Sequence, residues 1–411
     1  AQITPSQLDT LAAEAQPQVV EWRRWFHENP ELSNREFNTA KKVEEVLREM
    51  GLEPQTGIAH TGIVAVIEGG KPGPMVAIRS DMDGLPVVEQ TGLPFASTRT
   101  DVYNGQDVGV MHACGHDNHM SMLLGAAWVL NSVKEDLAGS VMLIFQPAEE
   151  GAPEGEEGGA ELMLKEGIWA DSKPEAVFGI HVGIATPGGQ IAVKPGPLMA
   201  AVDSFEITVV GKQSHGAMPW NGVDPIVVAS QIVLGLQTIV SRQVDVTLAP
   251  SIVSVGRISG GVRNNVIPER VEMEGTIRTF DEEMRREIHA RIENTARAIA
   301  SAAGAEIEFN LPIGYPSVNN DTQLFEQMLP TLQRVSGDNP VNIITPQTVA
   351  EDFSYFANET PGLFLFLGNG PPDVDPTSLP GNHSPYFDMY EPNLEMGVRI
   401  FSNLVVDYLD R

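Results

Sequence analysis

The sequence predicts an α/β protein whose main domain is interrupted by a smaller α+β domain. In the first part of the chain and again near its carboxyl end, short apolar strand patterns alternate with helical patterns. That alternation is typical of a mostly parallel sheet with helices on both faces. Between these two parts the order changes to βαββαβ, which suits a small antiparallel sheet backed by two helices.

The elements of the first part follow in order. Two helices are expected before residue 51, the first capped near Thr4 and the second ended by Gly51. Short apolar runs bounded by glycine and proline then predict strands, and one amphipathic run predicts a helix. The expected strands are 62–67, 75–79, 141–145 and 176–180, with the helix at 120–133. Because sites in open α/β sheets form beyond the carboxyl ends of strands, function is expected in the loops that follow them.

The pattern changes near Pro195-Gly196-Pro197 and changes back after Leu311. The elements expected between these points are a strand at 205–210, a helix at 225–242, strands at 251–258 and 270–280, a helix at 281–303 and a strand at 306–310. We therefore predict one domain made of residues 1–196 and 311–411, and a second, inserted domain at 197–310.

Composition excludes several classes of partner. The chain has 55 acidic against 26 basic residues and a net charge of −29, so its surface repels nucleic acid and anionic lipid. No apolar run approaches the roughly 18 uninterrupted residues of a membrane helix. The chain opens at Ala1 in Ala-Gln-Ile-Thr-Pro. That start suits an exported protein after signal removal, so a periplasmic or secreted location is expected, with a cytoplasmic location as the alternative.

The most informative stretch is Met111–His119, which holds the single cysteine and three of the nine histidines. Cys114 and His116 lie two residues apart after an extended segment, so thiol and imidazole can reach one metal ion. The spacing lacks the paired Cys-x-x-Cys of closed structural zinc sites, which favours an open, catalytic site. His112 and His119 flank this pair and are expected to support the site or the fold rather than to bind metal.

Glu149 and Glu150 directly follow a buried strand pattern and Pro147. One carboxylate can bind metal while the other acts as the general base that deprotonates metal-bound water. The loop continues with further acids, which are expected to be merely solvated: Glu154, Glu156, Glu157 and Glu161.

His181 and His383 complete the candidate set, one at the end of an apolar strand and the other in a loop with no packing need for imidazole. Asp83 could orient a ligand or the base through a hydrogen bond. A mixed set of thiolate, imidazole and carboxylate does not identify the metal. Two alternatives stay open, a hydrolase that uses Cys114 as nucleophile with His116, and a catalytically silent binding protein.

With these residues, the chain resembles the M20 metallopeptidases, and within them the amidohydrolase branch of aminoacylase-, hippurate hydrolase- and IAA-amino acid hydrolase-like enzymes. The matching motifs occur in order along nearly the whole chain: Arg79–Pro86, His112–Asp117, Gln146–Gly151, Gly179–His181, Ser214–Pro219, Asn265–Pro268, Gly275–Arg278, Glu351–Phe353 and His383–Pro385. Two features depart from the family pattern, the long acidic loop after Glu150 and the Gly381-Asn382 pair before His383.

The resemblance implies a site for two divalent metal ions per chain, which could be Zn, Mn, Co or Ni. The implied ligands are Cys114, His116, Glu150, His181 and His383. Glu149 would be the general base, and residues 197–310 would form a lid and dimerisation domain, so a homodimer is expected. His215 would reach the active site of the partner subunit and stabilise the oxyanion there. Asn265 and Arg278 would hold the substrate's carboxylate.

We therefore expect a metal-dependent amidohydrolase that cleaves N-acyl amino acids or small peptides with a free C-terminal carboxylate. A carboxypeptidase or dipeptidase acting at the same site, and a Cys114-dependent thiol hydrolase, are the alternatives.

Overall fold

The computed structural model describes residues 2–411, which divide into two compact units. The first unit comprises the residues up to Gly196 together with Asn319–Thr345 and Tyr355–Arg411. The second comprises Pro197–Val318 and Pro346–Ser354. Residues 311–318 and 346–354 thus pack with the second unit, beyond the boundary expected at 311. Their backbone explains this, because the carbonyls of Pro312 and Gln347 accept N–H groups from the strand region around residues 200–204.

The α/β class is confirmed. The helices are α1 Pro5–Glu28, α2 Phe37–Glu49, α3 His116–Ser132, α4 Gly159–Lys165, α5 Pro225–Thr238, α6 Glu282–Ala302, α7 Thr322–Ser336, α8 Phe353–Glu359 and α9 Leu394–Leu409. The strands of the first half are β1 Gln55–Ile58, β2 Gly62–Glu68, β3 Lys71–Asp81, β4 Thr100–Tyr103, β5 Gln106–Gly109, β6 Ala138–Gln146, β7 Ala176–Gly183, β8 Ile191–Val193 and β9 Gly196–Met199. The later strands are β10 Ala201–Val210, β11 Ser214–His215, β12 Ser251–Ser259, β13 Val266–Ile267, β14 Arg270–Thr279, β15 Glu306–Asn310, β16 Val318–Asn320, β17 Val341–Ile343 and β18 Gly362–Gly368.

Within the described residues, the first unit is built on an eight-stranded sheet in the order β1-β2-β6-β3-β7-β18-β8-β17. Its centre, β6-β3-β7-β18, is parallel, while β1 and β2 add antiparallel strands at one side. Parallel strands end at one edge, so the chain leaves Asp81, Gln146, Gly183 and Gly368 close to the same side of the sheet. This edge is where the functional residues collect.

Three helices of the first unit, α1, α3 and α9, pack together beside the sheet. Helix α3 is buried almost all round, both in its polar first turns and in the apolar part that follows. At Gly125 a β-carbon would lie 2.6 Å from a methyl of Val19 and 2.6 Å from a methyl of Val398. The glycine therefore permits the close approach of all three helices, and it fixes the depth at which α3 lies in the unit.

The second unit confirms the predicted βαββαβ order. Its antiparallel sheet runs β12-β14-β10-β15, and α5 and α6 cover one face. Along β10, buried and more exposed residues alternate, as expected for a sheet with one covered face. A buried pair fastens helix to sheet, since the guanidinium of Arg285 binds both carboxylate oxygens of Asp203 at 2.7 and 2.8 Å.

Helix α5 continues into a π-helical turn, Ile239–Gln243. By length and composition alone, Pro225–Gln243 is the one candidate for a membrane-crossing helix among residues 2–411, and 33% of its most apolar window is buried. Its buried residues, Val228, Ile232 and Leu236 among them, belong to the core of the second unit. Its opposite face is exposed and carries Val227 and Leu234.

Candidate metal centre

The five predicted metal ligands come from four segments of the first unit. Cys114 lies in the turn before α3, and His116 is the first residue of that helix. Between them Gly115 has φ +88°, and a β-carbon there would lie 2.5 Å from Val182, so the turn requires glycine. Glu150 follows β6 and His383 lies in the loop after β18. His181, expected at the end of its strand, instead lies inside β7, which continues to Gly183.

The structure brings these side chains together. The Sγ of Cys114 is 3.5 Å from Nε2 of His181, and Nε2 of His383 is 3.3 Å from Oε1 of Glu150. The ligand atoms of Cys114, Glu150 and His383 all lie within 4.8 Å of one another. Ligand atoms that bind one ion at about 2.0–2.3 Å must themselves lie within about 4.6 Å of one another. The arrangement therefore matches a shared cation.

A second group shares Glu150. Atoms of His116, Glu149 and Glu150 also lie within 4.8 Å of one another. Nε2 of His116 is 3.7 Å from a carboxylate oxygen of each glutamate. Glu149 is 5% exposed and Glu150 is half-buried, so the first carboxylate is the better shielded of the two. Glu150 thus belongs to both groups of ligand atoms, whereas Glu149 belongs only to the group that contains His116.

Polar satisfaction supports the fit of a metal to these residues. Nε2 of His116 and Oε1 of Glu150 are among the buried side-chain atoms of residues 2–411 that make no hydrogen bond. Their charged neighbours, Asp81 and His383, lie 3.5 and 3.3 Å away. Buried polar atoms are normally satisfied, and buried carboxylates need compensating positive charge. The same region holds the carboxylates of Asp81, Asp83 and Glu149. Divalent cations would satisfy the unpaired atoms and offset this concentration of negative charge.

Asp83 orients this centre, as the sequence suggested it could. Its carboxylate faces Nδ1 of His116 at 3.2 Å, which turns Nε2 toward the glutamates. It also accepts the backbone N–H groups of Glu149 at 3.1 Å and Glu150 at 3.0 Å. Burial would raise the pKa of Asp83, but hydrogen bonds from His116 and Ser33 outweigh it and lower the pKa. The residue therefore stays ionised and can accept all of these bonds.

Asp81 and His119 form a further pair that sequence reasoning did not assign. Nδ1 of His119 is 2.6 Å from Asp81, and Nε2 accepts the backbone N–H of Val182 at 2.9 Å. Although Asp81 and His119 lie within 4.8 Å of atoms of His116 and His181, both ring nitrogens of His119 are engaged within the protein. The pair thus positions the strand that carries His181. The sequence did hold a sign of this pair, because Asp81 is two residues before Asp83 and side chains two apart in an extended segment point to the same side.

His112, the other histidine of this motif, is 1% exposed, and neither ring nitrogen has a hydrogen-bond partner within residues 2–411. Burial is the largest influence on it and lowers its pKa to about 4. The ring is therefore neutral at ordinary pH.

The loop after β18 is tied to the other ligand segments by Asn382. Its Nδ2 donates to the backbone carbonyl oxygens of Cys114 at 3.1 Å and Val182 at 3.0 Å, and lies 4.0 Å from the Cys114 sulfur. His383 has φ +69° and donates its own N–H to Ala113 at 2.8 Å. One amide side chain thus joins three segments that together carry four of the five proposed ligands.

The thiol alternative finds little support in this geometry. The Cys114 sulfur faces His181 rather than His116, the base expected in that alternative. Burial raises the pKa of the Cys114 thiol well above its usual value, and the carboxylates of Glu150 and Glu149 raise it further. A thiolate in these surroundings needs a cation to stabilise it.

The acidic residues of the loop are exposed, as expected, but Glu156 is also held by the segment before α2. Arg35 binds both carboxylate oxygens of Glu156 at 2.6 and 3.1 Å, and Asn34 donates to the same carboxylate at 3.0 Å. A bidentate guanidinium–carboxylate pair is geometrically specific. Glu157 and Glu161 are exposed and pair with Lys165. The loop is therefore fastened to the segment before α2.

The remaining candidates lie in the second unit. His215 and Asn265 are neighbours there, since β11 pairs with β13 and the Asn265 carbonyl accepts the N–H of Gly216. Nδ1 of the exposed His215 accepts the N–H of Ala217 at 3.0 Å, which leaves the proton of the neutral ring on Nε2 as a free donor. Arg278 donates to Thr348 at 3.4 Å, and burial lowers its pKa.

Comparison with known proteins agrees with this geometry. Residues 77–407 match the profile of peptidase family M20/M25/M40. The chain is 38% identical over 396 residues to thermostable carboxypeptidase 1 of Saccharolobus solfataricus, covering 96% of each protein. It is 39% identical to N-acetylcysteine deacetylase of Bacillus subtilis, covering 95% of this chain and 97% of that protein.

Among solved structures, it resembles the YXEP protein of Bacillus subtilis, described as a dinuclear metal binding peptidase of the M20 family. The TM-score is 0.80 at 36% identity, with 97% of this chain and 99% of that one covered. The chain therefore belongs to peptidase family M20, and it is a metal-dependent hydrolase of amide or peptide bonds with a site for two metal ions.

Proposed function

We propose that the protein hydrolyses N-acyl amino acids or small peptides that carry a free C-terminal carboxylate. The observation that carries this proposal is the adjacent pair Glu149-Glu150, whose backbone N–H groups are both held by Asp83 beside the unpaired Nε2 of His116. The names of the relatives, a deacetylase of an N-acylated amino acid and a carboxypeptidase, are consistent with that substrate class.

The proposed ligands are Cys114, His116, Glu150, His181 and His383. Two divalent ions bound by them supply Lewis acidity at the scissile carbonyl and lower the pKa of water. Glu149 takes a proton from the attacking water and delivers it to the leaving amine. Its low exposure and its fixed backbone suit that role, because a base must be held within hydrogen-bond reach of the proton it removes.

His215, Asn265 and Arg278 are proposed to act on the substrate. The Nε2–H of His215 suits donation to the oxyanion that develops in the transition state. The guanidinium of Arg278 suits a carboxylate, which it can bind with two parallel hydrogen bonds. Asn265, next to Gly216, would add an amide donor to the same end of the substrate.

The assignment of the base is tested by Glu149→Gln. Because general acid–base catalysis typically contributes about 10²–10⁴-fold, kcat should fall by at least about 10²-fold while the protein still binds two metal ions per chain. Metal content by elemental analysis and turnover of an N-acyl amino acid are the measurements. Glu154→Gln, in the exposed part of the same loop, is the matched control and should behave as wild type. Retained turnover in Glu149→Gln would refute the assignment.

The substrate class is tested on metal-stripped protein supplied with Mn²⁺, Zn²⁺, Co²⁺ or Ni²⁺. N-acetyl and N-benzoyl amino acids and dipeptides are compared with the same compounds blocked as C-terminal amides. Metal-restored cleavage of only the free acids supports the proposal, and Arg278→Ala should raise KM for them. Preference for dipeptides favours the peptidase alternative, and activity that survives stripping would return Cys114 as the nucleophile. The native metal and an exported location stay predictions.

We also propose that the second unit forms the interface of a homodimer. Large apolar side chains are exposed on α5 and just after its π turn, among them Val227 at 53%, Leu234 at 71% and Leu248 at 72%. Exposed apolar groups in such concentration are typical of surfaces that associate. Leu234→Glu should lower the mass measured by light scattering to that of one chain, whereas Gln323→Glu at an exposed position of α7, outside the second unit, should not. An unchanged dimer in Leu234→Glu would exclude this face.

A further inference from the structure

The residues between α1 and α2, Ser33 to Glu36, contact the turn that carries Glu149 and Glu150 or groups bonded to its loop. Glu36 accepts from Ala148 at the start of the turn, and Ser33 donates to Asp83, which accepts the N–H groups of both glutamates. Asn34 and Arg35 bind Glu156, further along the same loop. The backbone runs alongside as well, since Leu32 pairs with Gly84 and the Gly84 N–H donates to Glu31 at 2.7 Å. Residues 33–36 are called the clamp segment, and residues 148–151 the glutamate turn.

Glu36 is the least expected member of the clamp segment. It occupies the N-cap position of α2, yet its side chain makes no capping hydrogen bond. Glu31 does that instead, accepting the backbone N–H groups of Asn38 at 3.0 Å and Thr39 at 2.8 Å. Glu36 is thereby free to turn inward, where it is 0% exposed.

Inside the protein, the side chain of Glu36 forms a hydrogen bond with the first residue of the glutamate turn. Oε1 accepts the backbone N–H of Ala148 at 2.9 Å, and Oε2 accepts the hydroxyl of Thr61 at 2.6 Å. Ala148 has φ +52°, a left-handed conformation that is sterically unfavourable for an alanine. A conformation of that kind persists only where surrounding contacts hold it. Glu36 supplies one such contact immediately before the proposed base.

The loop that follows the turn is held from the same segment. Arg35 and Asn34 bind the carboxylate of Glu156, and Asn34 also donates to the carbonyl of Glu157 at 3.0 Å. Gly158 fits against this contact, because a β-carbon there would lie 2.8 Å from the Asn34 side-chain oxygen. A β-carbon at Gly158 would also lie 3.2 Å from that of Ala148, so the loop held by the clamp segment packs against the start of the glutamate turn.

We propose that Glu36, together with the Arg35–Glu156 pair, positions Glu149 for proton transfer. Glu36 holds Ala148 in its left-handed conformation, and the pair holds the following loop against it. These are positioning residues that act through the turn, and the proposal rests on the proposed role of Glu149. Loss of the clamp should lower kcat without changing KM, because it displaces the base and leaves the substrate contacts in place.

The experiment compares Glu36→Ala with Glu36→Gln. The alanine removes the acceptor for the Ala148 N–H, and kcat should fall about 10- to 100-fold, the usual effect of residues that orient an active group. Glutamine keeps a carbonyl that can accept this N–H and an amide that can donate to Thr61, so it should recover most of the activity. KM should match wild type in both variants, and kcat is compared at saturating metal because the same turn carries the proposed ligand Glu150.

Arg35→Ala tests the hold on the loop after the turn. Arg35 is exposed, so the substitution should not impair folding. Its matched control is Arg48→Ala, which breaks an exposed arginine–glutamate pair with Glu44 inside α2. Arg35→Ala should lower kcat about 3- to 10-fold, a fraction of the full loss of a positioning contact, and Arg48→Ala should have no effect. Equal effects in the two variants, or a rise in KM with unchanged kcat, would overturn the proposal.

Hydrogen exchange separates failure of the clamp from failure of the proposed function. In metal-loaded protein, the amides of residues 148–150 should exchange at least about 10-fold faster in Glu36→Ala than in wild type or Glu36→Gln. If wild type hydrolyses none of the proposed substrates, the function is wrong, while the exchange result still decides whether the clamp exists. Unchanged exchange in both Glu36→Ala and Arg35→Ala would reject the clamp even if activity fell.

Discussion

The side-chain amide of Asn382 ties the loop that carries His383 to two other segments of the metal centre. Its two donor hydrogens reach backbone carbonyls on either side of the centre, those of Cys114 and Val182, and the next residue in the chain is His383. The missing side chain of Gly183 leaves room for it, since a β-carbon there would lie 2.8 Å from the Asn382 oxygen. The position of the fifth proposed ligand thus depends on a residue that binds no metal itself.

Asn382→Ala should therefore weaken metal binding more than it weakens the fold. We expect about a 10- to 100-fold loss of affinity, the range found for residues that orient metal ligands, because the His383 loop is no longer tied to Cys114. Metal retention during dialysis against a competing chelator is the measurement. Gly381→Ala, where a β-carbon makes only an ordinary contact with Ile184, is the control. Equal retention in both variants would contradict this role.

Residues of the centre differ in how far the sequence predicted them. Cys114, His116, Glu149 and Glu150 are close in sequence to others of their kind and lie in recognisable motifs. Asn382 and the clamp segment could not be found in that way. They are ordinary polar residues in loops or at a helix start, and their partners lie far away in the chain, so no local period or spacing marks them.

At the scale of elements, the packing of α1, α3 and α9 around Gly125 sets the depth at which α3 lies, and His116 is the first residue of that helix. Gly125→Ala should lower the free energy of unfolding by about 1–3 kcal/mol, because the added methyl meets side chains of two neighbouring helices. Chemical denaturation of the metal-free variant is the measurement. Adding Val398→Ala should return part of the loss, since it removes one of the clashing methyl groups. A double variant no more stable than the sum of the single effects would argue against direct overpacking.

Strand and helix types were predicted well along the chain because their apolar periods are strong, while their ends were not. Helix α3 begins at His116 rather than at 120, and β7 extends past His181 to Gly183. Both extensions involve the metal motif, where polar residues are buried and the hydrophobic pattern gives no guide. The site therefore lies where the sequence pattern fails, as expected for residues selected for chemistry rather than for packing.

For the molecule as a whole, the proposed ligands all belong to the first unit, so metal should stabilise that unit alone. A cation at about 100 times its dissociation constant adds about 2.7 kcal/mol to the free energy of unfolding. Calorimetry of stripped and metal-loaded protein should show one transition moving to higher temperature with metal, while the transition of the second unit stays in place. Movement of both transitions, or of neither, would contradict the assignment of every ligand to the first unit.

The order of strands in the large sheet has a consequence for how the protein is made. Strand β18 lies between β7 and β8, yet it is synthesised after the whole of 197–318. While the nascent chain grows, the edge of β7 has no neighbour on that side and can pair with foreign strands. The second unit's main segment emerges earlier and can fold first. A product that stops before β18 lacks both an interior strand and His383, so premature termination yields no partly active hydrolase.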